Sequence, residues 1–177
     1  MKKILLLLAL AISLSAIAQE ELQTIKVDNL YSIVIPTFLT PNKEYQDQGI
    51  FYYEDVKRHY YISIKVETKQ FFQTVIDTNF VPEKVTNNLD GYVYMLDKYY
   101  MNNKDCYGFE YKDTLVNGMK AIYTAKNMRV NGDDIKHISL FIEGKDTYYE
   151  IMSFTFKENY ESNKDLMHKS MFTFKEL

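Results

Sequence analysis

One cysteine, three histidines and no tryptophan occur in this chain of 177 residues, and each scarcity removes a class of protein. A single cysteine, Cys106, closes no internal disulfide, so the fold stands on its core alone. Nor does it lie at the N-terminus, where a lipid anchor would need one. It sits in a strand pattern with no base near it in sequence, which reads as a structural residue rather than a nucleophile. His59, His137 and His168 have no second histidine or cysteine at ligand spacing, so no zinc motif is present. The six glycines form no phosphate-binding series, no Gly-Lys-Ser/Thr follows them, and no Gly-x-Ser-x-Gly elbow exists. Positive charge is also short: 21 Lys and Arg against 24 Asp and Glu give a net charge of −3. That balance leaves no electrostatic footprint for nucleic acid or for anionic lipid. No cofactor is expected.

What is present begins at the N-terminus. Lys2 and Lys3 precede an apolar run from Ile4 to Ile12, and Ala16-Ile17-Ala18 follows. A basic start, a short apolar core and small residues two apart make a secretory signal peptide over residues 1–18. Ser13 and Ser15 interrupt the run, which falls short of the ~20 apolar residues that a spanning helix needs. Cleavage after Ala18 leaves residues 19–177, more acidic by the two lost lysines. That length fits one domain, which buries roughly 68–70% of its unfolded surface. The expected address is periplasmic or extracellular, with no stable membrane anchor after cleavage.

Aromatic content is high, with 16 Tyr and 11 Phe. Much of it lies in alternating runs. Tyr60, Ile62, Ile64 and Val66 alternate with Tyr61, Ser63, Lys65 and Glu67, the period of a strand with one buried face. The preceding "GIFYYED" reads as its hairpin partner, and "LYSIVIP" as an earlier short strand ended by proline. Helical spacing then takes over. Phe72, Val75 and Ile76 mark one amphipathic segment over residues 69–79; Leu89, Tyr92, Val93 and Leu96 mark another, ending at Asn102-Asn103. Gly91 interrupts the second at a cost of ~1 kcal/mol relative to alanine.

Two Val-Asn-Gly tripeptides, at 116–118 and 130–132, sit between alternating apolar runs. Asn-Gly is the strongest short-range hairpin signal, because both central residues of a type I′ turn need positive φ. Asn117-Gly118, Asn131-Gly132 and then Glu143-Gly144-Lys145 therefore join four consecutive strands into an antiparallel meander. A C-terminal helix carries Leu166, Met167, Ser170, Met171 and Phe174 on one side. Ser162 and Asp165 supply the pattern of a capping box at its start.

"YSIVIPTFL", "VNGMKAIYTAK" and "SMFTFKEL" together resemble the PsbP-like family, whose fold is shared with small Ran-binding nuclear import factors and many short secreted bacterial proteins. The absent tryptophan departs from many members. The resemblance implies an α+β fold: a single-domain α/β/α sandwich with an antiparallel β-meander sheet flanked by helices. It also implies an accessory or binding role and transfers no functional residue.

Two function classes follow. In the first, the protein is a secreted, non-catalytic binding module for an unknown protein or a small apolar ligand. Its surface would draw on Tyr52, Tyr53, Tyr60, Tyr61, Tyr148 and Tyr149, since neighbouring residues of a strand send one ring to each face. In the second, it is a small hydrolase or metal-dependent enzyme using Asp133, Asp134 and His137 at the mouth of the second Asn-Gly turn. His137 and Ser139 share a strand face there, but no orienting acid is legible. His59 and His137 are expected on the solvated sides of their strands.

Overall fold

Asn117, Gly118, Asn131 and Gly132 all adopt positive φ, at 48°, 84°, 53° and 95°. Both Asn-Gly pairs are thus two-residue type I′ corners, as their sequence requires. They fix the register of three long strands: β6 (Cys106–Val116), β7 (Met119–Val130) and β8 (Asp133–Glu143). Val116 pairs with Met119 and Val130 with Asp133 at the two corners. The computed structural model describes residues 21–78 and 85–177. The expected leader over residues 1–18 lies outside the described residues.

The remaining strands are β1 (Leu22–Val27), β2 (Tyr31–Pro36), β3 (Thr40–Pro41), β4 (Phe51–Asp55), β5 (Tyr60–Thr68), β9 (Thr147–Phe156) and β10 (Lys175–Glu176). Of the ten strands among the described residues, seven form one antiparallel sheet in the order β3-β4-β5-β9-β8-β7-β6. The meander is its larger part. A separate three-stranded sheet, β1-β2-β10, forms a second layer that the sequence pattern does not announce. Among the described residues four helices join them: α1 (Lys43–Gln46), α2 (Lys69–Thr78), α3 (Leu89–Met101) and α4 (Tyr160–Phe172).

The two faces of the large sheet bury different partners. On one, Tyr60, Ile62, Ile138, Leu140, Tyr149 and Ile151 pack against β2 and α4, which contribute Tyr31, Ile33, Ile35, Met167 and Met171, with Phe174 just beyond α4. Side-chain bonds fasten this layer. Asn163 donates to Thr155 Oγ1 at 3.0 Å, Asn117 donates to the Phe174 carbonyl at 2.7 Å, and Tyr149 donates to Glu176 at 3.0 Å. On the other face, Phe72, Leu89, Tyr92 and Val93 of α2 and α3 cover Ile122, Phe141 and Tyr148. The expected sandwich is therefore the observed one. Among the described residues, no helix is long and apolar enough to cross a membrane.

Helix ends differ in detail from expectation. Asn88 caps α3, its side chain accepting from the Gly91 N–H at 2.8 Å. By contrast α4 starts at Tyr160, two residues before the expected cap, and Asn159 offers it no side-chain bond. Ser162 instead donates to the Asn159 carbonyl at 2.8 Å, so the Ser162–Asp165 capping box does not form. A short 3₁₀ turn at Lys157–Asn159 already bends the chain into the helix, and this moves the start forward.

Candidate functional site

Strand parity divides the tyrosine doublets as expected, but the layers above them decide which rings can be reached. Tyr60, Tyr148 and Tyr149 are 0%, 0% and 1% exposed and belong to the core. Tyr53 packs on that core with its ring 4.8 Å from Phe51. Tyr52, Tyr61 and Tyr148 face the side of the sheet that carries α2 and α3. Of these three, Tyr148 lies under the helices, while Tyr52 and Tyr61 lie where they leave it partly open.

There they join residues that the sequence pattern alone does not single out. Tyr61 stacks on Phe154 at 4.7 Å and 10°, and Phe154 lies parallel to His137 at 6.3 Å. The register explains the row: Tyr61, Phe154 and His137 are directly opposite one another on β5, β9 and β8. Tyr100 of α3 continues it, 6.1 Å from His137. Flanking pairs widen the strip, with Tyr45 on Tyr52 at 4.5 Å and His59 on Phe156 at 4.4 Å. Glu54 sits opposite Tyr61 and accepts from Asn42 at 2.8 Å. Burial and the adjacent Glu54 push both the Tyr52 and Tyr61 phenols upward, so they are neutral donors at neutral pH. Phe154 and Phe156 were legible in principle, since "SFTF" continues the parity of Tyr148.

An apolar recess of about 470 Å³ wraps the nearby end of β4. Val27, Leu30, Tyr31, Ile50 and Val66 line one side, and Ser63 and Met152 the other. It exists because β4 begins at Phe51 opposite Ile64, which leaves the rest of β5 without an outer neighbour.

Under α3 the row meets a buried polar cluster. Lys126 Nζ donates to Asp97 Oδ1 at 2.8 Å and lies 4.0 Å from the Tyr100 ring centre. Tyr111 donates to the other Asp97 oxygen at 3.1 Å. Ser139 donates to Glu150 at 3.2 Å, which supplies an acid for Ser139 that linear order concealed. The acid binds the serine, however, and does not orient His137, whose Nδ1 is buried without a hydrogen-bond partner. His137 is therefore not solvated as expected but 7% exposed. Burial, with Lys126 nearby, lowers its pKa to about 3, too low for a general base near neutral pH.

The Asp133–Asp134–His137 cluster does not assemble. Asp133 lies four residues along the strand from His137, about 13 Å at strand rise. Asp134 points to the opposite face and pairs with Arg129 at 3.3 Å. Among the described residues, no group of three or more His, Cys, Asp or Glu side chains is placed to share a metal ion. Cys106 lies buried in β6, and burial raises its thiol pKa.

Neither a family model nor a curated protein sequence matches this chain. Its architecture does match solved structures. Cyanobacterial PsbP (CyanoP) from Synechocystis sp. PCC 6803 aligns with a TM-score of 0.56 at 11% identity, over 92% of this chain and 96% of its own. A mutant of Mog1 aligns at 0.53 and 11%, over 88% and 95%. A Pseudomonas aeruginosa protein described as a putative regulator of unknown function aligns at 0.51 and 13%, over 86% and 95%. The fold is PsbP-like. At these identities the likeness concerns the fold and carries no residue role.

Proposed function

We propose that the protein is an exported, non-catalytic accessory or binding module that holds a protein segment or a small apolar ligand on the Tyr52–Tyr61–Phe154 strip. The carrying observation is the strip itself: stacked rings across adjacent strands on a face that α2 and α3 cover only in part. Half-buried aromatics are rigid, cost little side-chain entropy on binding, and dominate binding energy where they are buried by a partner. The hydroxyls of Tyr52 and Tyr61 and the fixed carboxylate of Glu54 supply direction. Export rests on Lys2-Lys3, the short apolar run and Ala16-Ile17-Ala18.

The test places a photo-crosslinking residue at Tyr61 or, as control, at exposed Lys169 of α4, in the native host. A discrete adduct from position 61 and none from position 169 supports the reading. Equal labelling at both positions, or none at 61, removes it. N-terminal analysis of the same material checks export, which requires a chain beginning at Gln19.

A further inference from the structure

The long strand β6 ends the large sheet, and among the described residues no strand pairs with its outer side. Which of its backbone groups face outward follows from the corner at Asn117-Gly118. In a two-residue hairpin the flanking pair, Val116 and Met119, exchanges both hydrogen bonds. Thr114, Lys112 and Glu110 therefore also direct N–H and C=O toward β7. Leu115, Asp113, Tyr111 and Phe109 direct theirs outward. The side chains along this edge are correspondingly bare: Tyr107, Tyr111 and Leu115 are 37%, 44% and 66% exposed, and Met101 of α3 above them is 47% exposed. An open edge with exposed apolar side chains is a template for strand addition.

We infer that this edge is a homodimer interface, in which β6 pairs antiparallel with β6 of a second copy about a two-fold axis at Tyr111. Charge selects both the occupant and the register. An antiparallel pair of identical strands places one residue opposite itself, and the outward groups allow the axis at any residue from 110 to 113. An axis at Glu110, Lys112 or Asp113 sets that like charge against itself. At Tyr111, by contrast, Glu110 of each copy faces Lys112 of the other, twice by symmetry. Those two positions form a non-hydrogen-bonded pair, the arrangement that brings opposed side chains nearest. The two Tyr111 rings meet at the axis as a cross-strand aromatic pair, on the face that also carries Met101 and Leu115. The slip in pairing between Tyr107 and Glu110 limits the shared ladder to about five residues, Phe109 to Asp113, so the dimer is small and dissociates on dilution.

The test is sedimentation of the purified protein over a concentration series, with three variants that retain native circular dichroism. Asp113→Pro removes an outward N–H without touching the β6–β7 ladder. Glu110→Lys opposes two lysines, and Glu110→Lys with Lys112→Glu restores opposite charges. The expected result is a monomer–dimer equilibrium that the proline and the single reversal each weaken by roughly tenfold or more and the double reversal restores. A monomer at every concentration overturns the inference. So does a dimer indifferent to Asp113→Pro and Glu110→Lys, or one that the double reversal fails to restore.

Discussion

Lys126 and Asp97 form an ion pair 2.8 Å long with side chains only 1% and 2% exposed, tying β7, next to the sheet's edge, to the inner face of α3. Tyr111 satisfies the second Asp97 oxygen and the Tyr100 ring flanks the ammonium. A buried pair of this kind contributes little net stability, yet removing one partner strands the other charge away from water. Asp97→Asn should therefore cost about 3–5 kcal/mol in urea denaturation. Replacing both residues, Asp97→Leu with Lys126→Met, should recover most of that loss. If the single variant proves as stable as the native protein, the pair is not buried as described.

The same cluster makes stability depend on pH in two opposite ways. Burial raises Glu150 from 4.5 to about 7, with Lys126 and the Ser139 bond opposing it. The folded state thus holds this proton more tightly, and the stability it confers below pH 4.5 is lost as pH rises through 7. Burial lowers His137 from 6.5 to about 3, so its contribution is present above pH 6.5 and lost as pH falls through 3. Between 4.5 and 6.5 the two slopes oppose each other. Denaturation midpoints should form a plateau on the acid side of neutrality. Glu150→Gln should turn the plateau into a rise up to pH 6.5, and His137→Gln should turn it into a fall from pH 4.5 toward 7. A midpoint that climbs steadily from pH 5 to pH 8 would contradict the Glu150 assignment.

The glycines separate two causes of intolerance. At Gly118 and Gly132 a side-chain methyl would project into open space, but both residues hold positive φ. Gly→Val at either should therefore cost roughly 1–3 kcal/mol through backbone strain. Gly91 is the reverse case. It lies in α3, where alanine would gain about 1 kcal/mol in propensity, but a Cβ there would overlap the Thr86 carbonyl oxygen. Gly91→Ala should be net destabilising, which thermal melts beside Gly118→Val will show. A stabilised Gly91→Ala protein would mean that the Thr86 turn gives way freely.

That contrast shows where sequence reading succeeds and where it stops. The meander was legible because Asn-Gly corners and a period of two are local signals. So were α2 and α3, through their apolar stripes. Strand β1 was not, since its residues are only exposed or half-buried and its alternation is weak; β10 is two residues long. Among the six tyrosines, parity gave the faces but not the cover, which depends on where α2 and α3 land. The polar cluster is tertiary: Asp97 and Lys126 lie 29 residues apart in sequence. Its local trace was an acid on the inner stripe of a helix and a lysine at an inward strand position.

Cys106 offers a direct reporter of that region. It is 8% exposed in β6, and burial raises its thiol pKa while nearby Lys126 lowers it. Little thiolate forms at pH 8, and what forms is shielded, so reaction with a disulfide reagent must await local opening. Native protein should label on the order of a hundredfold more slowly than protein in urea, the factor that about 2.7 kcal/mol of opening energy gives. Because α3 covers this end of the sheet through Asp97 and Lys126, Asp97→Asn should speed native labelling, whereas Glu110→Lys on the opposite face should not. Rapid labelling of the native protein would place Cys106 at the surface. Equal rates in the Asp97 variant and the native protein would show that β6 opens without α3.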